Sequence, residues 1–161
     1  MPPFDSSTVT LCRRCLAAGK QPCKASLLRL HDYWEAKRGS RAFPARADID
    51  PLELRDLLPN IFIIEVLDEV PHFRYRLSGS GVDELHGQSL TGKSPRDIKT
   101  AEIAAVVEEQ YRAALTDRRP RCDHVKLLAR DDTYWHFERL ILPLSDDGER
   151  INMFLCGIYA T

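Results

Sequence analysis

An α+β domain built on a single antiparallel sheet is what this chain predicts, and three observations carry the prediction. Five segments have strand character, two in the first half of the chain and three at its end. The clearest helical period, over 101–116, lies between the two groups. Within each group the strands are joined by short turn-forming sequences, which suit antiparallel neighbours. At 161 residues with 43% hydrophobic content, the chain can bury a core as one domain.

Residues 1–24 show no sustained helical or strand period and carry Pro2, Pro3, Gly19 and Pro22, so they read as a cysteine-containing N-terminal extension. The folded domain is expected over 25–161, beginning with an N-terminal helix. Ser26 is a candidate cap, Leu27, Leu30 and Trp34 recur at helical spacing, and Gly39 offers a stop. After Phe43–Asp50, Asp50 can cap, Pro51 suits a first helical position and Glu53 can reach back, which predicts a short helix to about Leu58. Pro59 closes it. Ile61–Leu67 is dense in β-branched and aromatic residues and reads as a strand buried on both faces. Phe73, Tyr75 and Leu77 then alternate with Arg74, Arg76 and Ser78 as a half-buried antiparallel strand.

From Gly79 to Lys99 the sequence is turn-rich with short helix-capable pieces. Ala101–Thr116 places Ile103, Val106, Val107, Tyr111, Ala114 and Leu115 on one face, the face expected to cover the sheet. Cys122–Ala129, Tyr134–Leu144 and Ile151–Tyr159 are strands separated by Asp131-Asp132 and by Ser145-Asp146-Asp147-Gly148. The sum is a five-stranded antiparallel sheet with helices on one face and a helical N-terminal extension.

Several function classes can be weighed on the residues alone. The net charge of −1 gives no global field toward nucleic acid or an anionic membrane, and no apolar run is long enough to span a bilayer. The start of the chain lacks the layout of a secretion signal, so a cytoplasmic location with reduced thiols is expected for its five cysteines. Cys12-Arg13-Arg14-Cys15 with Cys23 could share a zinc, with Cys23 or His31 completing the set, but four ligands are not in evidence and a thiol-bearing tail is the favoured reading. Gly79-Ser80-Gly81 is followed by Glu84 and no Gly-Lys-Ser/Thr, so it reads as a strand-ending turn and not a phosphate loop. Cys122 and His124 share a strand face without an evident orienting partner, and the Asp pairs belong to turns, so no catalytic residues are assigned.

The interior says more. Phe73, Tyr75 and Leu77 form one row, Trp135, Phe137 and Ile141 a second, and Phe154, Cys156 and Ile158 a third. These rows predict a mainly apolar core, and a cavity within it would take a small apolar ligand through Phe73, Tyr75, Leu77, Trp135, Phe137, Phe154 and Cys156, with Tyr75 and Trp135 as polar handles.

At the level of motifs, Tyr33-Trp34, Arg38-Gly39, Pro44, Arg46, Asp48, Asp50-Pro51 and Leu58-Pro59 are followed by Phe73-Arg74-Tyr75-Arg76-Leu77-Ser78-Gly79. Gly87, Ser89-Leu90-Thr91-Gly92, Pro143 and Asp146-Asp147-Gly148 complete a spaced pattern. Over residues 27–159 this pattern resembles the PAS domain superfamily, in particular a group of short stand-alone bacterial PAS proteins. The resemblance implies a sensory module that binds a small ligand or a partner in signal transduction, without catalysis of its own, and often dimeric through its first helix. On this chain Leu27, Leu30 and Trp34 would supply that homodimer stripe, and output would pass to an unidentified signalling protein. By the same analogy, the absence of histidine from Ala101–Thr116 argues against haem, and the absence of cysteine from Gly79–Lys99 argues against a photoactive flavin. Two rival readings are a small-molecule enzyme on a cone-shaped α+β fold and a solid-cored interaction domain.

Overall fold

The computed structural model describes residues 4–12, 24–99, 101–129 and 134–161. Strand β1 (Phe4–Cys12) precedes helix α1 (Ala25–Arg38), short 3-10 turns at Arg46–Asp48, Pro51–Leu54 and Leu58–Asn60, and the hairpin β2 (Ile61–Val66) and β3 (Phe73–Ser78). Helix α2 (Ser80–His86), a further turn at Pro95–Asp97 and helix α3 (Ala101–Asp117) lead into the meander β4 (Arg121–Ala129), β5 (Tyr134–Leu144) and β6 (Met153–Ala160). The strands form one antiparallel sheet in the order β1-β4-β5-β6-β2-β3.

All five expected strands are present, and β1 adds a sixth within the segment expected to carry no regular element. An edge strand held by backbone bonds to a single neighbour does not need the apolar alternation by which strands are read. The expected helix after Asp50 is instead two 3-10 turns. Asp50 does cap, its Oδ1 accepting from the Leu52 amide at 2.9 Å. Pro59 then disfavours the α conformation at Leu58 and removes a donor, so no α-helix can run through.

Helices cover both faces of the sheet. Leu27, Leu30 and Trp34 of α1 are at most 2% exposed and lie against the face that carries Gly157. A Cβ on Gly157 would come within 2.9 Å of the Cδ2 atoms of Leu27 and Leu30, so glycine lets the helix settle onto β6. Trp34 Nε1 donates to the Pro143 carbonyl at 2.7 Å, which satisfies its buried polar atom. On the opposite face, α3 lays the Tyr111 ring on Phe154, 6.3 Å between centroids, and against Phe73 at 5.6 Å.

Two local devices fix the chain around this interior. Gly79 links β3 to α2 where a Cβ would stand 2.2 Å from the Leu58 carbonyl oxygen, so the strand-ending Gly79-Ser80-Gly81 turn is demanded by close backbone packing. In the β5–β6 turn, Asp147 Oδ1 accepts from the amides of Glu149 and Arg150 at 2.8 and 2.7 Å, and these amides hold its carboxyl below the usual carboxylate range. Gly148 follows with a φ of 83°. The Asp131-Asp132 turn lies outside the described residues. Among the described residues, no helix is long and apolar enough to cross a membrane.

Candidate functional site

The α3 face is built from alternate residues of five strands, β2 to β6. The register pairs Asp123 with Arg139, Arg139 with Ile158, Ile141 with Cys156, Phe62 with Cys156, and Ile64 with both Phe154 and Tyr75. Directly opposed residues share a face, so Arg121, Asp123, Phe137, Arg139, Phe154, Cys156 and Tyr75 belong to one surface.

Of the expected ligand-binding residues, Phe73, Tyr75, Phe137, Phe154 and Cys156 are buried on this surface. Leu77 is not; it is 41% exposed. The β2–β3 register shifts between Ile63, which faces Leu77, and Ile64, which faces Tyr75. Such a bulge breaks the two-residue alternation and turns Leu77 out of the row that Phe73 and Tyr75 occupy. The side chain of Trp135 lies outside the described residues.

The expectation of a mainly apolar interior is corrected by a polar cluster. Arg121 Nε donates to both carboxylate oxygens of Asp123 at 3.0 and 3.1 Å, and Arg121 Nη1 reaches Asp117 at 3.1 Å. Arg139 Nη2 stands 3.7 Å from Asp123, close enough for attraction but not for a hydrogen bond. The Arg139 guanidinium also lies 5.4 Å from the centre of the Tyr111 ring. Tyr111 and Tyr75 share a hydrogen bond between hydroxyls at 3.4 Å.

Arg139 is 4% exposed, yet its Nε and Nη2 have no hydrogen-bond partner among the described residues. The same holds for Arg121 Nη2 and for both amide atoms of Gln110, which is 1% exposed on α3. Unpaired buried polar atoms are uncommon because each forfeits solvation without replacement.

Protonation follows the burial. Tyr75 is pushed up to about 12 by burial, Tyr111 is raised well above its ordinary value for the same reason, and the buried Cys156 thiol is raised too. Each therefore keeps its proton at neutral pH and offers hydrogen bonds, not a nucleophile. His86, half-buried at the end of α2, is lowered to about 4 by burial and then by the Arg139 charge, so it is neutral at pH 7. Beside this cluster, Phe137 and Ile158 line an open cleft of about 270 Å³ together with Asn60, Gly81, Glu84, Leu85 and Ala160.

Arg139, Asp123, Gln110 and His86 were not singled out in the sequence, and Arg121, which with Arg118 and Arg119 reads there as a solvated basic turn, is instead 3% exposed. A signal existed for Arg139, which stands between Phe137 and Ile141 in the phase expected to point inward. Leu27, Leu30 and Trp34, expected as a dimer stripe, are covered by the chain's own sheet, so the homodimer expectation loses that exposed surface. Of the suggested zinc ligands, Cys15 and Cys23 lie outside the described residues, and Cys12 is described only as a backbone position in β1.

The strand order β4-β5-β6-β2-β3, with α2 and α3 walling one face, defines an α+β domain with a central antiparallel sheet. The family model for the PAS domain matches residues 23–159, and the chain belongs to that family. Among solved structures, VqmA bound to DPO is similar at a TM-score of 0.53 and 16% identity, covering 68% of this chain and 56% of that one. A Vibrio cholerae VqmA dimer solved without its target DNA gives a TM-score of 0.53 and 16% identity over 68% of this chain and 49% of its own. The dark structure of the Aureochrome1 LOV domain gives 0.49 and 18% identity over 70% and 83%. The chain thus spans about half the length of the VqmA chains. No curated protein matches the sequence.

Proposed function

We propose that this PAS domain is a sensory module whose α3-side interior binds a small molecule with an apolar body and a carboxylate or similar acceptor group. One observation carries the reading: the buried guanidinium of Arg139 has two nitrogens without hydrogen-bond partners among the described residues. A charge-assisted bond from a planar guanidinium to an acceptor is among the stronger polar contacts available, and the surrounding Tyr75, Tyr111 and Phe154 rings suit the apolar remainder. The ligand expected from the sequence was a small apolar one with Tyr75 and Trp135 as polar handles; Arg139 makes an acidic end the better fit. VqmA, of similar fold, is a protein with bound DPO, and the present reading gives this interior a ligand suited to its own polar groups.

Sensing follows from mechanics. A ligand that engages Arg139 also meets Tyr111 and hence α3, so it favours one placement of that helix over another, and a partner reading the outer surface of α3 would register the difference. The protonated tyrosines and thiol, and a neutral His86 too weakly basic for proton transfer near pH 7, favour binding over catalysis. The test is a thermal-shift screen of small carboxylic acids beside their neutral amides, on the native chain and on Arg139→Met. Acids should raise the melting temperature of the native chain alone, since a ligand specific to the folded state must stabilise it. Equal shifts in both proteins, or none in either, would remove Arg139 from the reading.

A further inference from the structure

The α1 face holds a second cluster that the sensory reading does not use. Cys122 and His124 occupy alternate positions on β4, and His124 is directly opposite Glu138 on β5. One ligand-type atom from each lies within 4.8 Å of the others. Cys122 is 2% exposed and Glu138 is fully buried, while His124 is half-buried. Cys122 Sγ donates to Glu138 Oε1 at 3.4 Å, and the Lys24 amide donates to Glu138 Oε2 at 3.3 Å. On the other side of β4, Cys12 of β1 is in register with His124. One rung of the sheet therefore runs Cys12, His124, Glu138 across three adjacent strands, with Cys122 beside it.

We propose that Cys122, His124 and Glu138 are ligands of a zinc-class divalent ion. The donor set of thiolate, imidazole and carboxylate suits a borderline-soft tetrahedral ion better than calcium or magnesium, which prefer all-oxygen shells. A tetrahedral ion with bonds of about 2.0 to 2.3 Å holds its ligand atoms about 3.5 Å apart. Cys122 Sγ and Glu138 Oε1 already stand 3.4 Å apart and no pair of donors exceeds 4.8 Å, so closure onto an ion is within reach of side-chain rotation on fixed strands. On binding, the Cys122 thiol loses its proton to solvent, and the Cys122-to-Glu138 hydrogen bond is replaced by two bonds to the ion. The three ligands come from β4 and β5, so the ion would fasten these two strands to one another, with the fourth position left to solvent. A thiol nucleophile is the rival use of a Cys-His-Glu group, but Cys122 is buried and its thiol is bonded to the carboxylate.

The experiment strips the full chain with a chelator and titrates it with cobalt(II), a coloured stand-in for zinc, and then with zinc alone. The expected result is one cobalt per chain, with the visible bands of a tetrahedral site and a thiolate charge-transfer band, both bleached by zinc. Cys122→Ser and His124→Gln should each weaken binding more than about tenfold, and Cys122→Ser should also remove the thiolate charge-transfer band. Circular dichroism establishes that each variant is folded; if Cys122→Ser is not, the half-buried His124→Gln decides. The proposal is overturned if the native chain shows no tetrahedral cobalt spectrum, or if both Cys122→Ser and His124→Gln bind as tightly as the native chain. Alkylation of Cys122 at an undiminished rate under saturating zinc would also overturn it, in favour of a reactive thiol.

Discussion

On the α1 face of the sheet, Leu27 and Leu30 close on Gly157 and the only polar atom Trp34 brings is bonded to Pro143. On the α3 face, separated from the first by one thickness of the same strands, two arginines, an aspartate and a glutamine are buried with several donors unpaired. Close apolar packing needs nothing further to be stable; a buried guanidinium whose Nε and Nη2 lack hydrogen-bond partners among the described residues is a standing cost of conformational stability. The difference teaches that the sheet is a partition, with the Leu27, Leu30 and Trp34 packing under α1 given to holding the fold and the α3 side kept ready for an organic occupant.

Substitutions can break that contrast or sharpen it. The largest effect should come from Trp34→Ala, which empties a site under α1 and unpairs the Pro143 carbonyl; a loss of about 3–5 kcal/mol in urea denaturation is expected. A loss below 1 kcal/mol would mean that the α1 face is not what secures the fold. On the other face, Gln110→Leu should do the opposite and stabilise the chain by about 1–3 kcal/mol, because it removes, at similar volume, two buried polar atoms that have no partner among the described residues. Destabilisation of that variant would show that the amide is engaged in the free protein.

Gly157→Ala should cost about 1–2 kcal/mol as the Leu27 and Leu30 methyls give way, less than Trp34→Ala because side-chain tips can rotate. The smallest effect concerns His86. Its folded value of about 4 lies below the ordinary 6.5, so the unfolded chain takes up a proton first as the pH falls. The contribution is fully present above pH 6.5 and is lost as pH drops toward 4, by less than about 1 kcal/mol for a half-buried ring. His86→Asn should flatten that part of the stability profile relative to the native chain.

Much of this architecture was legible in the residues. The β5 strand spans Tyr134–Leu144, the limits its alternation predicts, and α3 ends one residue beyond the predicted Thr116. Long amphipathic periods are strong signals because many side chains must agree. The polar interior was less legible for a different reason. Counting the inward phase of β5 and stopping at Phe137 and Ile141 passes over Arg139, because a charged residue in that row is ordinarily discounted as solvated. Asp123 and Arg121 become inward only when the β4–β5 register is known, and register depends on contacts distant in sequence. Leu77 was placed inside by alternation, but a bulge is invisible to a count of two. The Glu138 contact with Cys122 crosses a strand boundary and could not be read from either strand alone.

The outermost strand of the hairpin has its own consequence. Glu65 of β2 is gripped by Arg74 and Arg76 of β3, at 2.6 and 2.9 Å, so the free border of the sheet is lined with bulky cations on a short strand. A neighbouring backbone seeking to lengthen the sheet there meets charge that it must strip of water. That border therefore resists the runaway stacking to which open sheets are prone, and it leaves the helices as the natural place for other molecules to gather.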